Sequence, residues 1–140
     1  MNDHRPYARA LDRLKGVGLR PTRQRLALAR LLFDAGDRHV TAEQLHAEAV
    51  SADMRVSLAT VYNTLHQFTA VGLLREVVVE SGRAYFDTNT SDHHHFYHVD
   101  QSRLEDIHHS RINVSALPEP PAGTSVDRVE VIIRLKSGDN

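Results

Sequence analysis

The chain has 140 residues, a net charge of −1 with its ten histidines neutral, 41% hydrophobic and 25% charged residues, and no cysteine. That length allows one domain or two small ones, and the composition is ordinary for a soluble globular protein. The missing cysteines exclude disulfides and thiolate metal sites; no apolar run approaches the roughly 20 residues of a membrane span, and the opening MNDHRPYARALDRL lacks a secretory core, so the cytosol is the expected compartment.

Tyr7, Leu11 and Leu14 recur at helical spacing before Gly16 and Gly18, which predicts a short first helix. Pro21-Thr22 opens a second, with Leu26, Leu28, Leu31 and Leu32 inward and an end near Ala35-Gly36. At VTAEQL, Thr41 can cap a third helix, Gln44 completes a capping box and Val40 can staple onto Leu45; this helix stops before Met54. Ser57 repeats the start signal for a fourth, in which Leu58, Val61, Leu65 and Phe68 share one stripe, Thr60, Asn63 and Gln67 the opposite face, and Tyr62 the border. After Gly72, the β-formers of 73–79, the turn Ser81-Gly82 and the return through 84–87 read as a hairpin.

Several short helices followed by a hairpin is the order of a winged helix-turn-helix, whose last helix enters the major groove while the hairpin lies along the backbone. The polar face of 57–67, with short side chains, suits a reader helix, although the same pattern fits a solvent-facing helix in any small bundle. The charge split suits a chain that meets phosphate at one end, although on its own it fits an ordinary charged surface better: residues 1–30 carry eight Lys/Arg and two acids, whereas 88–140 carry five and eight.

The remainder changes character. Strands are expected near 96–99 and 103–107, the prolines of 118–121 break the chain, and 126–135 alternates, with Val129, Val131, Ile133 and Leu135 on one face and Ile132 interrupting the polar one. Three thin strands bury little on their own, so pairing with a second copy is expected. Between the halves lies DHHHFYHVD at 92–100, four histidines and two aspartates in nine residues. Histidine and carboxylate are the usual borderline-metal donors, although in a chain with ten histidines such a run is as often a chance, solvated cluster. In extended chain, residues i and i+2 point the same way, so His93 and His95 share one face and His94 and Phe96 the other.

GLRPTRQR at 18–25, HVTAEQL at 39–45, SLATVY at 57–62 and GLL at 72–74, in this order and joined to the histidine cluster, strongly resemble the ferric uptake regulator family from about residue 8 to 135. The resemblance implies an α+β chain: a winged helix-turn-helix DNA-binding domain at 1–87, then a small C-terminal α/β dimerisation and metal- or haem-sensing domain at 88–140. It implies a dimeric, metal-responsive regulator, mostly a repressor, of iron homeostasis genes, bound to an A/T-rich inverted repeat of double-stranded DNA. The triple histidine before Phe-Tyr, Asn63 after Tyr62 and the missing cysteines look most like the iron response regulators, a branch linked to iron limitation and haem. Most of the family carries CxxC after the histidines, half of a four-cysteine structural zinc site; here His98 and Gln101 take those places and that zinc is absent.

Matched by motif, the resemblance assigns the sensory metal to His39, Asp87, His93, His95 and Asp106, with Fe(II), Mn(II) and Zn(II) all suited to these donors. Asp92, His94, His108 and His109 are candidates for a second metal or an axial haem ligand. For DNA it implies a thymine contact by Tyr62 and minor-groove insertion of Arg20. By helical position Thr60, Asn63 and Gln67, with the cap Ser57, face the groove, and Arg23, Arg25 and Arg83 are phosphate candidates. Two other classes stay open: metal storage or a chaperone, which needs no reader helix, and a metal-dependent hydrolase, against which stands the absence of an HExxH motif.

Overall fold

The computed structural model describes residues 7–138. The chain divides into two compact units, Met1–Thr90 and Ser91–Asn140. The first runs α1 (Ala8–Gly16), α2 (Arg23–Phe33), β1 (His39–Val40), α3 (Ala42–Ser51), α4 (Leu58–Ala70), β2 (Arg75–Glu80) and β3 (Arg83–Asp87). Three of its helices start where a side-chain oxygen accepts from an otherwise unpaired backbone N–H. Thr22 accepts from the Arg25 N–H at 3.2 Å and Ser57 from the Thr60 N–H at 3.1 Å. Thr41 and Gln44 close the full capping box, at 3.1 and 2.9 Å.

The helices enclose one apolar core. Leu14, Leu28, Leu32, Val40, Leu45, Val61, Leu65 and Phe68 are all buried in it, joined by Phe86 from β3. One expectation for α4 needs correcting. Leu58 is 36% exposed, and Thr64 takes an inward place instead. The packed stripe is 61-64-65-68, an i, i+3, i+4, i+7 set; Leu58 sits in the first turn, ahead of it. Thr64 is tolerated inside because its hydroxyl donates to the Thr60 carbonyl at 2.9 Å.

The hairpin forms with its strand starting two residues later than expected, at Arg75, and turning at Ser81-Gly82, where Gly82 takes φ +74°. A strand not foreseen is β1, which adds to the hairpin in the order β1-β3-β2 and pairs antiparallel with β3, His39 opposite Asp87 and Val40 opposite Phe86. Two residues are too few to show a period in sequence.

The second unit is a three-stranded sheet in the order β5-β4-β6, with β4 at His93–His98, β5 at Arg103–His108 and β6 at Ile132–Leu135. Strand β4 pairs antiparallel with β5 and parallel with β6. It begins three residues before the expected 96, so the histidine run is itself strand. Two expectations fail here. Among the described residues this unit has no α-helix, only short 3₁₀ turns; the 112–131 segment is irregular, and Pro118, Pro120 and Pro121 within it lack the N–H that helix or ladder needs. The alternating strand expected over 126–135 contracts to four residues, leaving Val126 and Val129 exposed. Its pairing stops because the Val131 N–H donates to Nδ1 of His94 at 3.0 Å, a side chain standing where a ladder acceptor would be.

Candidate metal centre and nucleic-acid interface

Burial along β4 alternates, with His93, His95 and Tyr97 inside and His94, Phe96 and His98 half-buried. The expected parity of the histidines is therefore present. Directly across the ladder, Asp106 lies opposite His95. Its Oδ1 is 3.4 Å from Nε2 of His93 and 3.3 Å from Nε2 of His95, and the two imidazole rings meet edge-on at 4.5 Å. Donor atoms of these three side chains all fall within 4.8 Å of one another. Nδ1 of His93 lies 2.7 Å from the Ser91 carbonyl. A carbonyl only accepts, so Nδ1 carries the proton and the Nε2 lone pair is left for a metal, the usual way an outer hydrogen bond fixes a ligating histidine. Two imidazoles and a carboxylate fit a divalent ion of the borderline class.

In the first unit, His39 and Asp87 stand opposite each other on β1 and β3. Asp87 is buried, and its Oδ1 accepts from the Asn89 N–H at 2.9 Å. The ring of His39 meets that of Tyr85 edge-on at 6.1 Å.

The other four candidates do not form one group. Asp92, His94 and His109 line an open cavity of about 510 Å³ together with Asp127 and Arg128, but His108 does not. Nδ1 of His108 instead bonds the Ser110 hydroxyl at 2.7 Å, and its ring lies 4.3 Å from that of His109.

On α4, Asn63 is exposed, as are Arg20, Arg23 and Arg83 elsewhere in the unit. Ser57 and Thr60 share a hydrogen bond between hydroxyls at 3.0 Å in addition to the cap. Arg83, in the hairpin, has its Nη1 3.9 Å from Glu80. Two expected readers are engaged within the protein. Gln67 accepts from Nε and Nη2 of Arg25, at 3.3 and 3.0 Å. Tyr62 donates its phenol to Glu43 at 2.7 Å. That bond pulls the Glu43 carboxyl below its usual range and pushes the Tyr62 phenol above its own. Glu43 carried no sequence signal: it sits on α3, nineteen residues from its partner.

The family model described as the ferric uptake regulator family matches residues 16–123. The chain belongs to the ferric uptake regulator family. Within it, a ferric uptake regulation protein of Cupriavidus metallidurans is 37% identical over 95 residues, 67% of this chain and 66% of that one. A peroxide-responsive repressor of Staphylococcus aureus is 32% identical over 101 residues, covering 71% and 67%. The chain spans a little under two thirds of the length of the C. metallidurans protein, and 58% of a Bordetella parapertussis relative. Among solved structures, the Pseudomonas aeruginosa ferric uptake regulator with manganese superposes with a TM-score of 0.70 at 23% identity, over 93% of this chain and 98% of that one. The Vibrio cholerae ferric uptake regulator gives 0.71 at 21%, over 90% and 98%. At those identities the likeness is one of fold: a helical winged unit followed by a small dimerisation-type sheet unit. No described helix is long and apolar enough to cross a membrane.

Proposed function

We propose that this chain is a metal-responsive, DNA-binding transcriptional regulator, mostly a repressor, of iron homeostasis genes, acting in the cytoplasm as a homodimer on A/T-rich inverted repeats. The observation that carries the proposal is the convergence of His93, His95 and Asp106 on one face of β4 and β5, with a fixed tautomer at His93, in a chain of this family. His39 and Asp87, paired across β1 and β3, are proposed as ligands from the first unit. A divalent ion holding donors from both units favours one arrangement of the two, and an ion that binds one arrangement better shifts DNA affinity by that difference. Fe(II), Mn(II) and Zn(II) all suit these donors. Tyr62, Asn63 and Thr60 are proposed to read the major groove and Arg20 the minor groove, with Arg23 and Arg83 on phosphate. Metal storage would need neither the capped α4 nor an exposed arginine beside it.

Asn63, the histidine triplet before Phe-Tyr and the lack of cysteine favour the iron response branch. A second ligand, metal or haem, is supported by the cavity that Asp92, His94 and His109 line with Ile112, Val114 and Leu117, where apolar wall and imidazole adjoin.

The test is fluorescence anisotropy on a labelled A/T-rich inverted repeat, with and without Mn(II) and haem. A binding constant that moves with either ligand is expected. Equal binding in every condition, or none to any A/T-rich duplex, would overturn the proposal.

A further inference from the structure

Arg25 stands in the first turn of α2, where a phosphate contact was expected of it. Its guanidinium is turned along the protein surface instead. Nη1 donates to the carbonyl of Arg20 at 2.8 Å, while Nε and Nη2 converge on Oε1 of Gln67 at 3.0–3.3 Å. One side chain thus joins the turn before α2 to the C-terminal half of α4, elements 42 residues apart in sequence. The planar fork of arginine can hold two acceptors on different edges; the single ammonium of lysine does not reproduce that geometry. The turn contains Gly18 at φ +77°, and it carries Arg20, whose side chain is exposed. Its own backbone bonds run back to α1, from the N–H groups of Val17, Gly18 and Leu19 to the carbonyls of Leu14 and Lys15, and Leu19 packs partly against the core; Arg25 and Gln67 add a tie from the Arg20 end to α4.

We propose that Arg25 is a positioning residue: through Gln67 it fixes the turn bearing Arg20 against α4, so that reading of a narrow minor groove by Arg20 and of the adjacent major groove by α4 are coupled within one subunit. This rests on the DNA-binding reading above. Gln67 acts from within the protein rather than on a base, and the charge of Arg25 serves the tie rather than a phosphate. Without the tie, the turn must be ordered at the moment of binding, which weakens the complex.

The test pairs two charge-conserving variants, Gln67→Ala and Arg25→Lys, with two operators that share a core but differ in flank, one an A-tract and one G·C-rich. A narrow minor groove attracts arginine, so the parent prefers the A-tract flank. Each variant is expected to lose about 2- to 10-fold on the A-tract operator, the range for one side chain left unordered. Each should change little on the G·C operator, and the double variant should be no worse than either single one. Hydrogen exchange of the free protein supplies a readout without DNA: the bonded amides within 17–22, those of Val17, Gly18, Leu19 and Thr22, should exchange faster in both variants, with the helices unchanged. An equal loss on both operators for Gln67→Ala makes it a base reader and overturns the proposal. So does parental behaviour of both variants, or exchange at 17–22 that Gln67→Ala does not alter. A parent that binds neither operator overturns the regulator reading itself, and the coupling with it.

Discussion

The two units fill their interiors with different chemistry. In the first, every inward position of α4 but Thr64 is a large apolar side chain, and each helix beyond α1 is started by its own cap. In the second, the inward positions of β4 are two histidines and a tyrosine, and Leu104 and Ile107 are the described apolar side chains buried beside them. The first is a scaffold that its own core can hold. The second gives two of its buried places, beside Tyr97 and Leu104, to histidines able to ligate a metal, and a site that exists only in the folded state would pass binding energy into folding.

The comparison breaks most visibly in the core. Phe68→Ala, at a fully buried position, should cost about 3–5 kcal/mol in urea unfolding. Ile133→Ala, on β6 and 38% exposed, should stay within about 0.5 kcal/mol for the monomer. Similar losses for the two would mean that the units share one stability. Next in size is Tyr62→Ala. Loss of a base contact should remove about 1–3 kcal/mol of specific DNA binding, with circular dichroism unchanged; a variant that binds its operator like the parent would place the reader elsewhere. Thr41→Ala removes one arm of the capping box and should lower first-unit stability by about 1 kcal/mol.

Much of the first unit was legible because its signals are local. Thr41 and Gln44 lie three residues apart, and Val61, Leu65 and Phe68 repeat with the helix. What was missed there is non-local: the two-residue β1, the Glu43–Tyr62 bond and the Arg25–Gln67 bond all join residues that only the fold brings together. The second unit was legible in part. Alternation of His93 and His95 follows from extended chain, and their partner Asp106 followed from the family match rather than from any period. Strand β6 is shorter than its alternation implies because the imidazole of His94, which alternation does not encode, takes the Val131 N–H where the ladder would have continued. The prolines of 118–121 break the chain as their sequence implies, and the α/β character that the resemblance implied for the second unit reduces, among the described residues, to a sheet with short 3₁₀ turns.

The smallest expected effect is electrostatic. The bond to Glu43 holds the Tyr62 phenol above its ordinary pKa, so Glu43→Gln should bring its ionisation down, as followed by NMR of labelled tyrosine. Glu43 itself is held low. Its contribution is therefore present above the unfolded carboxyl pKa and lost as pH falls through the folded value. Acid should weaken the parent on that side more than Glu43→Gln; identical acid limbs would show the bond contributes nothing.

Metal sensing is tested most directly by isothermal titration of Mn(II) into the parent and three single variants. Because β4 points His93 and His95 at Asp106 and His94 away, His93→Ala and His95→Ala should each lose at least about 10-fold in affinity, the lower end of what even an outer-shell change costs, and His94→Ala should match the parent. Equal losses in all three would contradict the division of the histidines by strand parity and the metal centre built on it.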